Sequence, residues 1–223
     1  MRDDAITVSR QQERTLEVNS VIRNTYLLLS MTLLFSAVTA GVSMALSLPH
    51  PGLLITMAGY FGLLFLTSYL RNSAWGLLSV FALTGFMGLT LGPIISYYLT
   101  AFSNGHELVM MAMGGTGAIF IGLSMYAFST RKDFSFLGGF LMVGIITAFL
   151  AGIGAYVFGM PMLQLAVSGA FILLMSGLIL YQTSQLVLGG ETNYIMATVT
   201  LFVAIYNLFL SLLHILGIFG GDD

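Results

Sequence analysis

The chain has 223 residues, of which 57% are hydrophobic and only 7% are Asp, Glu, Lys or Arg. Soluble domains carry about 25% charged residues, so this chain could not cover a water-exposed surface. The net charge of −2 argues against nucleic-acid binding. The absence of cysteine excludes disulfides, thiol catalysis and cysteine-based metal sites. The composition therefore predicts one compact membrane domain in contact with the lipid bilayer, and no separate soluble domain.

Seven apolar stretches are long enough to cross a bilayer, which requires about 20 residues each. The chain is therefore predicted to be an all-α polytopic membrane protein, with a cytoplasmic N-terminal tail over 1–22 and a seven-helix membrane domain over 23–223. The shortest connection contains Gly159 and Pro161, which leaves open a kink within one longer helix. The predicted spans, in chain order, are 26–48, 53–70, 75–99, 108–128, 136–158, 162–188 and 194–219.

All basic residues fall on one side of these spans. Four precede the first span, one follows the second and two follow the fourth: Arg2, Arg10, Arg14, Arg23, Arg71, Arg131 and Lys132. Basic residues favour loops that stay in the cytoplasm. The distribution predicts a cytoplasmic N-terminus and a periplasmic C-terminus. The polar lead before the first span fits a solvated tail or an interfacial helix, and we favour the tail.

Ionisable residues inside a membrane are candidate functional groups, and this chain has few of them. Only His214 lies within a predicted span, on the same side as His50 and His106. We interpret these three residues as separate interfacial histidines rather than as a metal or proton site, because their spacing does not match a set of metal ligands. Met110 stands where an H-E-x-x-H motif beginning at His106 needs its second histidine. We predict no catalytic residue, no metal and no cofactor.

Small residues are concentrated in the third and fourth spans. Such residues let membrane helices approach closely, either within one chain or between copies. We favour packing within one chain, and a homo-oligomer remains the alternative. The glycines in question are Gly85, Gly88, Gly92, Gly114, Gly115, Gly117 and Gly122.

Polar side chains remain in the last two spans. Gln182 and Asn207, with Thr183, Ser184 and Gln185 beside the former, would form hydrogen bonds between helices if they point inward. The same groups would line a polar route open to the cytoplasm. The structural role is favoured.

Several strings in this chain resemble the Bax inhibitor-1 (transmembrane Bax inhibitor motif) family of membrane proteins, in its bacterial YccA-type branch. The two most specific are Arg131-Lys132-Asp133-Phe134-Ser135-Phe136-Leu137 and Gly189-Gly190-Glu191-Thr192-Asn193-Tyr194. The others are Arg23-Asn24-Thr25-Tyr26, the stretch from Thr84 to Ile94, Tyr206-Asn207-Leu208-Phe209 and the closing Asp222-Asp223. The resemblance implies a helical bundle around a central C-terminal helix and no enzymatic activity.

Two roles follow from that resemblance. The YccA-type branch is associated with restraint of FtsH, a membrane-anchored ATP-dependent protease of the bacterial inner membrane. Other members are associated with a pH-sensitive calcium leak through two aspartates, one in each of the last two spans. Here those positions hold Gln182 and Ala204, which do not titrate.

The leading hypothesis is therefore an inner-membrane interaction protein that restrains FtsH. Its N-terminal segment, from Met1 to about Ser20 and including Arg10, Glu13 and Arg14, would supply the unstructured handle that a processive protease seizes. The alternative is an ion (calcium) leak, for which Gln182, Asn207, Arg71 and Glu191 are the candidate polar core or conduit. In that hypothesis Arg71 would interact with Gln182 or Glu191.

Overall fold

The computed structural model describes residues 2–221, with side chains from residue 16 onward. This part of the chain forms seven α-helices, and each contains a stretch long and apolar enough to cross a membrane. The prediction of an all-α protein with seven spans is confirmed. The helices are α1 (Arg2–Ala45), α2 (Leu53–Leu70), α3 (Trp75–Ala101), α4 (Gly105–Thr130), α5 (Leu137–Val157), α6 (Pro161–Leu188) and α7 (Tyr194–Gly220).

The first helix differs most from the sequence prediction, because it begins at Arg2 and runs unbroken into the membrane. The segment before the first span is helical rather than an unstructured tail. No glycine or proline interrupts the chain between Arg2 and Ala40. Val21 and Ile22 pack against the main hydrophobic core. The predicted handle residues Arg10, Glu13 and Arg14 lie in the part of α1 whose side chains are outside the described residues.

The last helix lies in the centre of the bundle, as the family resemblance implies. α7 packs against α1, α3, α4 and α6. Its inward-facing side chains, among them Leu201, Leu208 and Leu213, are fully buried. By contrast, α2 packs mainly on α3, and α5 mainly on α6. These two helices are therefore peripheral.

The loops gather at the two ends of the bundle. We call the end that carries Arg23, Arg71, Arg131 and Lys132 the basic rim, and the end that carries His50 and His106 the histidine rim. Two contacts bring the loops of the basic rim together. Asn193 Nδ2, just before α7, donates to the Arg71 carbonyl in the α2–α3 loop, and Ser184 Oγ, near the end of α6, donates to the Lys132 carbonyl in the α4–α5 loop. At the opposite rim, Asn104 Nδ2 donates to the Gly220 carbonyl near the end of α7.

Candidate functional site

The α6–α7 loop at the basic rim is held by its own side chains. α6 ends at Gly189, whose φ of 74° is the left-handed conformation that favours glycine. The carboxylate of Glu191 accepts a hydrogen bond from the Asn193 backbone N–H at 2.8 Å. Asn193 then caps α7, because its Oδ1 accepts from the Met196 N–H at 3.0 Å. These bonds hold the loop between the end of α6 and the start of α7.

Asn193 also joins this loop to the α2–α3 loop. Its Nδ2 donates to the Arg71 carbonyl at 3.1 Å and to Asn72 Oδ1 at 2.9 Å. One amide therefore uses its oxygen to cap a helix and its nitrogen to bridge two connections that lie about 120 residues apart in sequence.

The α4–α5 loop is anchored to α6 through Ser184. The Ser184 hydroxyl donates to the Lys132 carbonyl at 2.8 Å and accepts from the Phe134 N–H at 3.2 Å. α4 is closed by Arg131 in the left-handed conformation, with φ of 49°. Both halves of the loop are therefore fixed against a buried side chain of α6.

Asp133 stabilises the same loop from the surface. Its Oδ1 accepts from the Ser135 backbone N–H at 2.8 Å. This bond, followed by one from the Ser135 side chain, lowers the pKa of the Asp133 carboxyl below its ordinary value. The carboxylate is therefore the form that holds the turn.

The basic rim is thus a linked surface rather than a set of independent loops. Its cationic side chains Arg23, Arg71, Arg131 and Lys132 are exposed. The two most specific strings of the sequence, at 131–137 and 189–194, are the segments that form the linked loops. Sequence reasoning identified the strings but missed the linking roles of Ser184, Asn193 and Asn72. The one usable indication was an asparagine directly before the first residue of α7.

The structure places the four predicted conduit residues at different depths. At 1.5 Å per residue, Gln182 lies about 9 Å from the basic-rim end of α6, and Asn207 about 20 Å from the basic-rim end of α7. Asn207 Nδ2 donates to the carbonyl of Val203 in its own helix. Arg71 and Glu191 lie in the rim loops, where both adjoin Asn193. Among the described residues, the structure gives no ion pair between Arg71 and Glu191.

Gln182 belongs to a buried polar layer in the basic-rim half of the bundle. In this layer the Tyr26 hydroxyl lies 3.4 Å from Thr183 Oγ1, and Thr198 Oγ1 donates to the Thr25 carbonyl at 3.2 Å. The Gln182 side chain is only 5% exposed. Its Nε2 has no hydrogen-bond partner among residues 16–221. The layer is polar but contains no carboxylate within this described range.

The three histidines lie near one rim but have separate environments. His214 Nδ1 lies 2.7 Å from Ser168 Oγ on α6. His50 Nδ1 accepts from the Gly52 N–H at 3.1 Å. His106 is exposed at the start of α4.

Comparison with known proteins identifies the family. The family described as "Inhibitor of apoptosis-promoting Bax1" matches residues 18–221. The chain belongs to the Bax inhibitor-1 family. Relatives extend over nearly the whole length: an uncharacterized protein of Pseudomonas aeruginosa is 53% identical over 207 residues, or 93% of each chain. The Escherichia coli K12 protein named "Modulator of FtsH protease YccA" is 48% identical over 220 residues, covering 99% of this chain and 100% of the relative. An uncharacterized Pasteurella multocida protein is 46% identical over 92% of each chain.

Within this Bax inhibitor-1 family protein, the two positions that the resemblance assigns to aspartates are both buried. Ala204 packs in a cluster with Ile179 and Leu208, and Gln182 lies one turn from Ile179 on α6. Neither side chain can release or accept a proton in the physiological range. The structure therefore contains a neutral, packed version of this part of the bundle.

Proposed function

We propose that this chain is a non-catalytic inner-membrane protein that modulates an FtsH-type protease. The observation that supports this most strongly is 48% identity over essentially the full length of both chains with a protein named as a modulator of FtsH. A similar Escherichia coli O6:H1 protein is named an inner membrane protein. The neutral residues Gln182 and Ala204 remove the titrating pair on which the alternative role depends.

The proposed orientation has the basic rim in the cytoplasm. Four exposed cations lie at this rim, and basic residues are retained on the cytoplasmic side of inner-membrane proteins. The hydrogen-bonded rim loops and the start of α1 would then face the soluble part of a membrane-anchored protease.

The proposed handle is the N-terminal part of α1, with Arg10, Glu13 and Arg14. Where side chains are described, Leu16, Glu17, Asn19 and Ser20 are exposed. Because this segment is helical, the protease would have to unwind it before pulling. Beyond it, α1 packs along α3 and α7, so further extraction would have to break the bundle open. We infer that the protease engages the chain but is slow to extract it.

The proposal is tested in proteoliposomes that contain an FtsH-type protease and a membrane substrate. Adding the full chain should slow substrate degradation, and removing residues 2–20 should abolish that effect. A matched control replaces the same residues 2–20 with a Gly/Ser segment of equal length, which separates the effect of the segment's sequence from the effect of its length. The truncated chain must unfold at the same temperature as the full chain, which shows that the bundle is still folded. Unchanged inhibition by the truncated, folded chain would contradict the handle, and no inhibition by the full chain would contradict the function.

A calcium leak is the second candidate, and the observation that favours it is the pair of amide side chains, Gln182 and Asn207, that line the inside of the last two spans. A calcium ion would be held by the amide oxygens of these two side chains, while the unpartnered Gln182 Nε2 is a donor that would bind water. Efflux from calcium-loaded vesicles that changes with Gln182→Ala or Asn207→Ala would support this role. Efflux at the rate of protein-free vesicles would exclude it.

A further inference from the structure

A lateral cavity opens between the two peripheral helices. It has a volume of about 430 Å³ and lies between α2, α3, α5, α6 and α7, with His50 at one end. α2 and α5 approach each other at Phe61 and Phe149, whose rings are 5.5 Å apart and nearly perpendicular. Phe61 is partly exposed on the outside of the bundle. Ile146 and Leu150 of α5 line the same cavity and are also exposed, so the cavity opens to the lipid-facing surface beside this ring pair.

The cavity continues along α2 towards the basic rim. A second cavity of about 600 Å³ shares Tyr60, Phe61, Leu178 and Val203 with the first and extends to Ser68. Together they follow α2 from Leu53 to Ser68, about 22 Å at 1.5 Å per residue. The two cavities adjoin at these shared residues and together run along the helices over most of the thickness of the hydrocarbon layer, and we call them the lateral groove.

Polar groups lie at the histidine-rim end of this groove. His50 Nδ1 accepts a hydrogen bond from Gly52 N–H, so the neutral ring carries its proton on Nε2 and can donate from there. One turn into α2, the buried Thr56 hydroxyl lines the same cavity and has no partner among the described residues. Deeper in the cavity the lining is mostly apolar, and its Tyr206 hydroxyl is already paired with Thr90 at 3.2 Å. The groove is thus mostly apolar, with the His50 and Thr56 donors at its histidine-rim mouth and the Ser68 and Thr200 hydroxyls at its other end.

The size and polarity of the groove select the occupant. An α-helix with its side chains is about 10–12 Å across, which is too wide for cavities of this volume. Cavities of about 300–1,000 Å³ with a few convergent polar groups suit small ligands. The groove is mostly apolar and runs in the same direction as the lipid acyl chains, so one hydrocarbon chain fits it. The hydrogen-bond donors at its histidine-rim mouth would pair with an acceptor such as a phosphate.

We propose that this groove binds a phospholipid from the leaflet at the histidine rim. One acyl chain lies between α2 and α5 against α7, and the phosphate accepts a hydrogen bond from His50 Nε2. The bound lipid fills the gap that separates the peripheral helices from the centre. This inference does not depend on the protease partner, because it rests on the groove alone.

The test is native mass spectrometry of the delipidated full chain titrated with 1-palmitoyl-2-oleoyl phosphatidylethanolamine. Met57 lines the groove, whereas Leu54, on the same helix, is 82% exposed. Met57→Trp should weaken binding by roughly tenfold, the equivalent of about two displaced methylene groups. Leu54→Trp is the matched control and should bind as the unmodified chain does.

A second comparison addresses the head group. His50→Ala should weaken binding of the phospholipid but leave binding of the diacylglycerol with the same two chains unchanged. His50 is exposed in a loop, so this variant keeps the bundle intact, and the thermal transitions of both tryptophan variants verify their folding. The proposal is overturned if the folded Met57→Trp variant binds like Leu54→Trp, if the chain binds no lipid, or if His50→Ala leaves phospholipid affinity unchanged.

Discussion

At the scale of single residues, the packing of α3 on α1 depends on glycine. Gly88 of α3 faces α1, and a Cβ added there would overlap the Ser36 carbonyl oxygen and the Thr39 hydroxyl. Gly85 and Gly92 lie one turn away on either side of Gly88. A Cβ added at Gly85 would overlap Phe35 of α1, and one added at Gly92 would overlap Ser43 of α1. The third-span glycines therefore pack within the chain, as their sequence pattern favours.

Gly88→Ala is expected to destabilise the protein by about 1–3 kcal/mol, the usual range for overpacking. The control is Gly114→Ala in α4, where an added Cβ would have no described atom within 4 Å. That change should be neutral or stabilising by up to about 1 kcal/mol, because alanine is the better helix former. Detergent-mediated unfolding measures both. Equal stability of the two variants would contradict the assigned α1–α3 contact.

Gly114 also limits what the sequence could predict. The sequence pattern favours intramolecular packing for the glycines of both spans, but Gly114, Gly117 and Gly122 have open space beside them in the described structure. For these three the interpretation is wrong. Composition shows that a helix is rich in small residues, but not which of its faces meets a neighbour.

Asn193 has two roles, capping α7 and bridging to the α2–α3 loop, and substitutions can separate them. Asn193→Ala removes the α7 cap and the bridge to Arg71 and Asn72, and should cost about 2 kcal/mol of stability. Asn193→Asp keeps an oxygen to cap the helix but loses both donated bonds, so its loss should be smaller. Thr192→Ala, at the exposed neighbouring position, is the control. Thermal unfolding in detergent ranks the stabilities of the three variants. Because aspartate can still cap α7 but loses both donated bonds, the measurement should place it between the control and the alanine variant; an aspartate variant as unstable as the alanine variant would contradict the separate roles of cap and bridge.

At the scale of elements, the α4–α5 loop should respond to pH through Asp133. Its pKa is lower in the folded protein than its ordinary value of 3.8. The carboxylate therefore stabilises the fold above the ordinary pKa, and this contribution is lost as pH falls through the lowered pKa. The unfolding temperature of the unmodified chain should exceed that of Asp133→Asn at neutral pH, and the gap should close in acid.

Ser135→Ala checks the cause of this shift. It removes the side-chain bond but leaves the Ser135 N–H, which is the larger cause. A carboxyl titration followed by NMR should then show the Asp133 pKa still below its ordinary value, but less so. A pKa at or above the ordinary value in the unmodified chain would contradict the turn.

Helix existence was predictable because apolar stretches of membrane length have no other stable location. The start of α1 was not predictable from hydropathy, since its polar lead carries no apolar pattern that separates helix from solvated tail. Only the absence of glycine and proline before Ala40 indicated that the helix could continue. Its contact with the core at Val21 and Ile22 depends on tertiary packing that the local sequence does not encode.

At the scale of the whole molecule, the sequence predicted one cationic end and the family predicted a central last helix. The linkage among the rim loops could not be read from the sequence, because Asn193 and Asn72 are polar residues without distinctive spacing. The lateral groove also escaped prediction. It arises because α2 packs mainly on α3 and α5 mainly on α6, which is a property of the assembled bundle.

The central claim is that the chain meets an FtsH-type protease through its basic rim. The chain has no cysteine, so single cysteines carrying a photo-crosslinker can be placed without background. Ser129 and Thr192 are exposed near the basic rim, and Ala101 and Phe158 are exposed near the histidine rim. After irradiation of membranes that contain both proteins, crosslinks to the protease are expected from Ser129→Cys and Thr192→Cys alone. Crosslinks from Ala101→Cys and Phe158→Cys in equal yield, or from no position, would contradict the account.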